Sequence, residues 1–248
     1  MKQIQLTDID KVIKSDSIIA IGGFTINRKP ISIIKEIAKS NIEKIHIYTL
    51  AGALDVDLLV EKLKVKKISA AYVGYEGLGF SKIVRKAVEC KDLIFEDLTE
   101  ILYYLRLKAG AIGVPFIPTE SIINSDIFKI NSACKKIKDP FTKKVLCGVK
   151  AINPDFCIIH AQKADKFGNI LINEPNFSEK EMAQASKIRI FSVEEIGELE
   201  PNEITISSKF VDYIIVAKKG AYPSGCKDHY APNIKEILKH IEKNDESK

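Results

Sequence analysis

The side chains that could do chemistry in this sequence gather at glycines. Gly22 and Gly23 are adjacent, follow the apolar run at residues 18–21, and lead through Phe24, Thr25, Arg28 and Lys29 to Pro30. Backbone N–H groups without a neighbouring Cβ, placed at the carboxyl end of a strand, can approach a carbonyl or an anion. The pair therefore reads as an oxygen-binding turn, with a plain tight strand-to-helix turn as the alternative. Glu76 lies among Gly74, Gly77 and Gly79, where a substrate can reach its carboxylate from an open side. A carboxylate that only balances the start of the next helix fits the same place. His160 and Gln162 end another apolar run, and a histidine there either moves protons or orders a loop by bonding backbone carbonyls. The segment from Gly220 to Cys226 can close over a ligand or pack against a partner. Cys226 receives no nucleophilic role, because a lone loop cysteine is weak evidence for one.

The elements that must position these groups follow from periodicity. Strand-like runs at residues 18–21, 45–50, 68–73, 93–95, 156–160, 188–192 and 213–217 alternate with amphipathic segments at 7–14, after Pro30, and at 55–63, 81–89, 99–108, 179–186 and 233–242. That order predicts an α/β fold, an open, largely parallel sheet flanked by helices. Residues 108–119, with Gly110, Gly113, Pro115 and Pro118, read as a rigid turn and extended stretch that packs or lines a pocket wall. Residues 1–248 read as one domain with a polar, lysine-rich excursion near 120–149.

Composition narrows the classes. The chain of 248 residues is 46% hydrophobic and 29% charged, enough for a buried core. Its net charge of +5 is scattered, with no basic stripe for nucleic acid. Its five cysteines lack C-x-x-C spacing, which argues against a disulfide framework and a metal site and for a cytoplasmic setting. No apolar run predicts a membrane span, and no spaced glycine fingerprint predicts dinucleotide binding.

Taken in order, five segments resemble the alpha subunit of the family I coenzyme A transferases, of the glutaconate CoA-transferase type. They are Gly22-Gly23-Phe24-Thr25 with Arg28, Lys29 and Pro30; Gly110 to Phe116; His160, Gln162 and Gly168; Val193 to Ile196; and Gly220 to Cys226. The resemblance implies a separate beta subunit with the active site between the two. A glutamate of that partner attacks an acyl-CoA thioester, forms an acyl-glutamyl anhydride, and then carries CoA to a carboxylic acid. It further implies that Gly22, Gly23 and Phe24 bind the thioester oxygen. Thr25, Arg28, Gly77, His160 and Gln162 contact the substrate, with Arg28 facing an acyl carboxylate or a CoA phosphate. CoA is a substrate here, and no separate cofactor or metal is expected. A related branch hydrolyses or ring-opens CoA thioesters with an alpha-subunit carboxylate. Glu76, the catalytic candidate of this chain, fits that alternative.

Overall fold

The central apolar runs of the sequence become strands because their β-branched residues alternate between two buried faces. The computed structural model describes residues 2–246. Its strands are β1 (Lys2–Gln3), β2 (Ile18–Phe24), β3 (Ile45–Gly52), β4 (Val65–Val73), β5 (Ile94–Asp97), β6 (Phe116–Thr119), β7 (Cys134–Lys138), β8 (Val145–Lys150), β9 (Phe156–Ala164), β10 (Ile170–Leu171), β11 (Ile188–Ile196) and β12 (Tyr213–Val216). The helices are α1 (Ile9–Val12), α2 (Ile31–Lys39), α3 (Leu54–Glu61), α4 (Lys82–Glu89), α5 (Glu100–Ala111), α6 (Asp126–Ile130), α7 (Glu179–Ala185) and α8 (Ile234–Glu246).

The main sheet runs β1-β12-β11-β9-β2-β3-β4-β5, parallel throughout, with β10 added antiparallel to β9. The chain builds outward from β2 to β5 and then returns to place β9 on the other side of β2. The β2/β9 boundary is thus the point where the order of strands reverses, and open parallel sheets leave a crevice at the carboxyl ends of such strands. Within β2 the period of two is plain. Ile19 and Ile21 join a core with Ile33, Ile34, Ile37, Val56 and Leu59 of α2 and α3, whereas Ala20 joins the opposite core with Leu102, Leu107 and Met182 of α5 and α7. Each fully buried isoleucine or leucine contributes about 1.5–3 kcal/mol, so these two cores fix the register of the strand ends above them.

Local signals set the helix boundaries. Thr99 accepts the Leu102 N–H at 3.1 Å to start α5, and Ser81 accepts the Val84 N–H at 3.0 Å to start α4. One expectation is corrected and another, the excursion near 120–149, gains its elements. The helix α5 continues through Gly110 to Ala111 instead of yielding to a turn at 108, because a Cβ at Gly110 would lie 2.2 Å from the Ile152 carbonyl oxygen and glycine alone permits that approach. The polar stretch 120–149 is not patternless. It holds α6 and the strands β7 and β8, which with β6 form a second sheet, antiparallel in order β6-β8-β7. Its outward faces are polar and lysine-rich, so alternation is hidden at a strand such as β7, where Lys135, Lys136 and Lys138 surround Ile137.

Candidate active site

The turn after β2 and the turn after β4 meet at the carboxyl edge of the sheet. Thr25 and Glu76 both adopt left-handed backbone, with φ of 47° and 55°. That region is rare for a side chain and rarer for a β-branched one. The Thr25 hydroxyl donates to Glu76 Oε1, with the Phe24 carbonyl oxygen as a second acceptor for the same proton at 2.9 Å. The two residues line a cleft of about 590 Å³ with Phe24, Leu50, Ala51, Ala71, Tyr72, Leu98, Thr99 and Glu100. Thr25 is buried while Glu76 is exposed, as is the adjacent Gly77, beside which a Cβ would meet nothing within 4 Å. The cleft thus offers the hydroxyls of Thr25, Tyr72 and Thr99, two exposed carboxylates, Glu76 and Glu100, and apolar and aromatic walls. Phe24 is stacked on Phe177 with ring centroids 4.4 Å apart. Two strained residues facing each other across an open cleft mark a functional site more strongly than either does alone.

Behind this cleft lies a buried polar network. Glu179, fully buried, accepts the Arg28 guanidinium at 2.5 Å, the Gly23 N–H at 3.2 Å and the Phe177 N–H at 2.5 Å. Arg28 also pairs with Glu174 at 3.2 Å and donates to the His160 carbonyl oxygen at 3.0 Å. His160 bonds Ser192 Oγ through Nδ1 and Glu194 through Nε2, both at 2.9 Å. Glu194 further accepts the Tyr230 hydroxyl at 2.5 Å and the N–H groups of Lys219 and Gly220 at 2.7 and 3.1 Å. Burial pushes the Glu194 carboxyl up, but the bonds from His160, Tyr230 and the Lys219 N–H outweigh it and hold the group at about 2. Burial lowers the His160 imidazole against the opposing pull of Glu194, and pushes the Cys226 thiol up to about 12, helped by the charges of Glu194 and Glu174. His160, Glu194 and Cys226 bring ligand-type atoms within 4.8 Å of one another, yet the Glu194 oxygens already receive four donors.

Several sequence expectations change accordingly. The Gly23 N–H is taken by Glu179 and the Phe24 N–H by the Asn27 carbonyl oxygen at 2.9 Å, so neither is an open oxyanion donor in this chain. Gly23 is required for a different reason, since at φ 78° a Cβ would lie 2.5 Å from the Arg28 carbonyl oxygen. Gly22 faces Ile159, where a Cβ would come within 3.0 Å of Cγ1, which makes it a packing glycine. Arg28, 1% exposed, cannot meet a substrate anion, because its guanidinium is occupied by two carboxylates and a carbonyl. His160 is 0% exposed and holds β11 to β9. Gln162 bonds Glu174 at 2.9 Å and receives the Asn173 N–H at 3.2 Å, so it shapes the chain after β10. The segment after β12 packs on its own chain: Arg28 N–H donates to the Gly225 carbonyl oxygen at 2.6 Å and Gly225 N–H to that of Ile26 at 2.8 Å.

Phe24, Thr25 and Glu76 line one cleft, Gly77 is exposed next to Glu76 but does not line it, and Arg28, His160 and Gln162 lie in the network behind it. Sequence reading missed Thr99 and Glu100 of the cleft and Glu179 of the network. The first two are hidden by their helix-start pattern, and Glu179 by its resemblance to an ordinary first-turn carboxylate.

Comparison with known proteins gives this arrangement its context. The sequence profile described as Coenzyme A transferase matches residues 5–217. The A-type subunit of glutaconate CoA-transferase from Acidaminococcus fermentans is 31% identical over 245 residues, spanning 90% of this chain and 76% of that one. An uncharacterized protein of Archaeoglobus fulgidus is 34% identical over 190 residues, 76% of this chain but 42% of that longer one. A crystal structure of glutaconate coenzyme A-transferase from Acidaminococcus fermentans superposes with a TM-score of 0.91 at 27% identity, covering 98% of this chain and 84% of that chain. The family profile spans most of the chain and the A-type subunit is matched over 90% of it, and the chain belongs to the Coenzyme A transferase family as an alpha-type chain.

Proposed function

We propose that this chain is the alpha half of a heteromeric enzyme that moves CoA between an acyl-CoA thioester and a carboxylic acid, completed by a beta-type partner. The observation that carries the reading is the Thr25–Glu76 cleft, open on one side and built from this chain's strand ends. The partner's glutamate carboxylate attacks the thioester carbonyl and CoA leaves as the thiolate. The thiolate then attacks the glutamyl carbonyl of the anhydride, releasing the acid and leaving a glutamyl-CoA thioester; an incoming carboxylate reverses both steps. No proton need be exchanged in that sequence. Glu76 then serves as an oriented acceptor for N–H or O–H groups of the bound substrate, and Thr25 fixes its direction. Loss of such a charge-assisted bond costs about 1.5–3 kcal/mol, or roughly tenfold to a hundredfold in kcat/KM. The reaction uses CoA as substrate and needs no separate cofactor. We place it in the cytoplasm on the five free cysteines. Among the described residues no helix is long and apolar enough to cross a membrane.

A second reading is favoured by one feature, the accessible carboxylate on this chain itself. In a CoA-thioester hydrolase, ring-opening or otherwise, Glu76 would activate water or attack the acyl carbon, and its removal would cost about 10²- to 10⁴-fold in kcat.

The test is reconstitution with a beta-type partner, incubation with a panel of acyl-CoA thioesters, and intact-mass analysis after trapping. An adduct on the partner, with CoA released only when an acceptor acid is supplied, supports transfer. An adduct on Glu76, or CoA released without an acceptor, moves the assignment to hydrolysis.

A further inference from the structure

Asp57 lies on α3, outside the cleft and outside the Arg28 network, and is 2% exposed. Its two oxygens are divided between two hydroxyls: Tyr75 donates to Oδ2 at 2.6 Å and Ser81 to Oδ1 at 2.5 Å. Residues 75 and 81 are the two ends of the segment that carries Glu76. Between them the segment is closed by Tyr75 N–H to the Gly79 carbonyl oxygen at 2.8 Å and Gly79 N–H to that of Glu76 at 3.1 Å. Burial, followed by the Asp57 charge, pushes the Tyr75 phenol up, so it remains a donor. From beneath, α8 completes the arrangement. Ile237 and Ile241 pack with Leu54, Tyr75 and Leu78, and His240 Nε2 stands 3.6 Å from Asp57 Oδ2. This helix lies beyond residues 5–217, the span matched by the family profile.

A side chain held at φ 55° persists only where its surroundings over-determine it. We infer that Asp57 is a positioning residue, which grips both ends of the 75–81 segment and so holds Glu76 against Thr25, with α8 as the brace of that grip. The inference rests on the reading that Glu76 faces the substrate.

The experiment is a double-mutant cycle in the enzyme assembled with its beta-type partner. Tyr75→Phe removes one donor and keeps the local packing; Ser81→Ala removes the other donor and also the cap of α4, so its rate is read against its own unfolding midpoint. Each is measured alone and combined with Glu76→Gln, alongside the unfolding midpoint. Asp57→Asn, which points an N–H at one of the two hydroxyls, is the stronger variant if it folds. Each single change is expected to lower kcat/KM about three- to tenfold, less than the loss of the Glu76 carboxylate itself because each acts only through the position of Glu76, and to add nothing once Glu76 is glutamine. Equal losses in both backgrounds, or no loss, would overturn the clamp. A crystal structure of Tyr75→Phe/Ser81→Ala supplies a readout apart from turnover. Glu76 parted from Thr25 supports the clamp, and Glu76 unmoved overturns it. Full activity of Glu76→Gln alone overturns the underlying reading of the cleft, a result the crystal structure does not depend on.

Discussion

Glu76 and Glu179 approach the same glycine turn from opposite sides and meet opposite fates. Glu179 is fully enclosed and accepts Arg28, the Gly23 N–H and the Phe177 N–H, leaving no capacity for a ligand. Glu76 is exposed, sits in left-handed backbone and is held by the hydroxyl of Thr25. One carboxylate is saturated to stabilise the turn, and the other is strained and accessible at the cleft. Charge type alone does not distinguish them; the count of donors already satisfied does. The same contrast separates Arg28, His160 and Gln162 from Thr25, although all of them flank strand ends.

The largest effect that would sharpen this contrast is at Glu179. Glu179→Ala leaves Arg28 partly unpaired in the interior and frees the Gly23 N–H, so it should lower stability by about 3–5 kcal/mol, read by chemical denaturation. That is a large part of the stability of a typical domain, and an unchanged midpoint would break the division between the supporting and the accessible carboxylate. A smaller effect of opposite sign is expected at the cleft. Glu76→Gly relieves a left-handed side chain and should raise stability by about 1 kcal/mol while lowering turnover of the assembled enzyme. A third effect concerns pH. Glu194 titrates at about 2 in the fold against an ordinary 4.5, so the folded state binds fewer protons than the unfolded chain. Its contribution is present above the ordinary value and is lost as pH falls toward 2. His160, also lowered, acts in the same direction below its ordinary 6.5. Denaturation measured stepwise from pH 7 to 3 should show declining stability, and Glu194→Gln should flatten the acid end of that slope.

The main sheet is legible in the sequence because β2, β3, β4, β9, β11 and β12 contain apolar runs bounded by glycine, asparagine or charge. The second sheet is not, because β7 and β8 carry lysines on a wet face and β6 contains Pro118. At the site, the glycines locate the strand ends correctly. Side-chain direction is a different matter. Whether Arg28 points to solvent or into the interior depends on Glu174 and Glu179, which lie about 150 positions away in the chain, and no local pattern encodes such a partner. Asp57 is hidden for the same reason, as its two donors come from a later turn.

The central claim is that Glu76 works at the cleft while contributing little to the fold. The most direct measurement compares Glu76→Gln with wild type in the assembled enzyme, taking kcat/KM and the unfolding midpoint on the same preparations. The account predicts a loss of roughly tenfold to a hundredfold in kcat/KM with the midpoint unchanged. Unaltered kcat/KM, or a loss that merely follows a lowered midpoint, would contradict it.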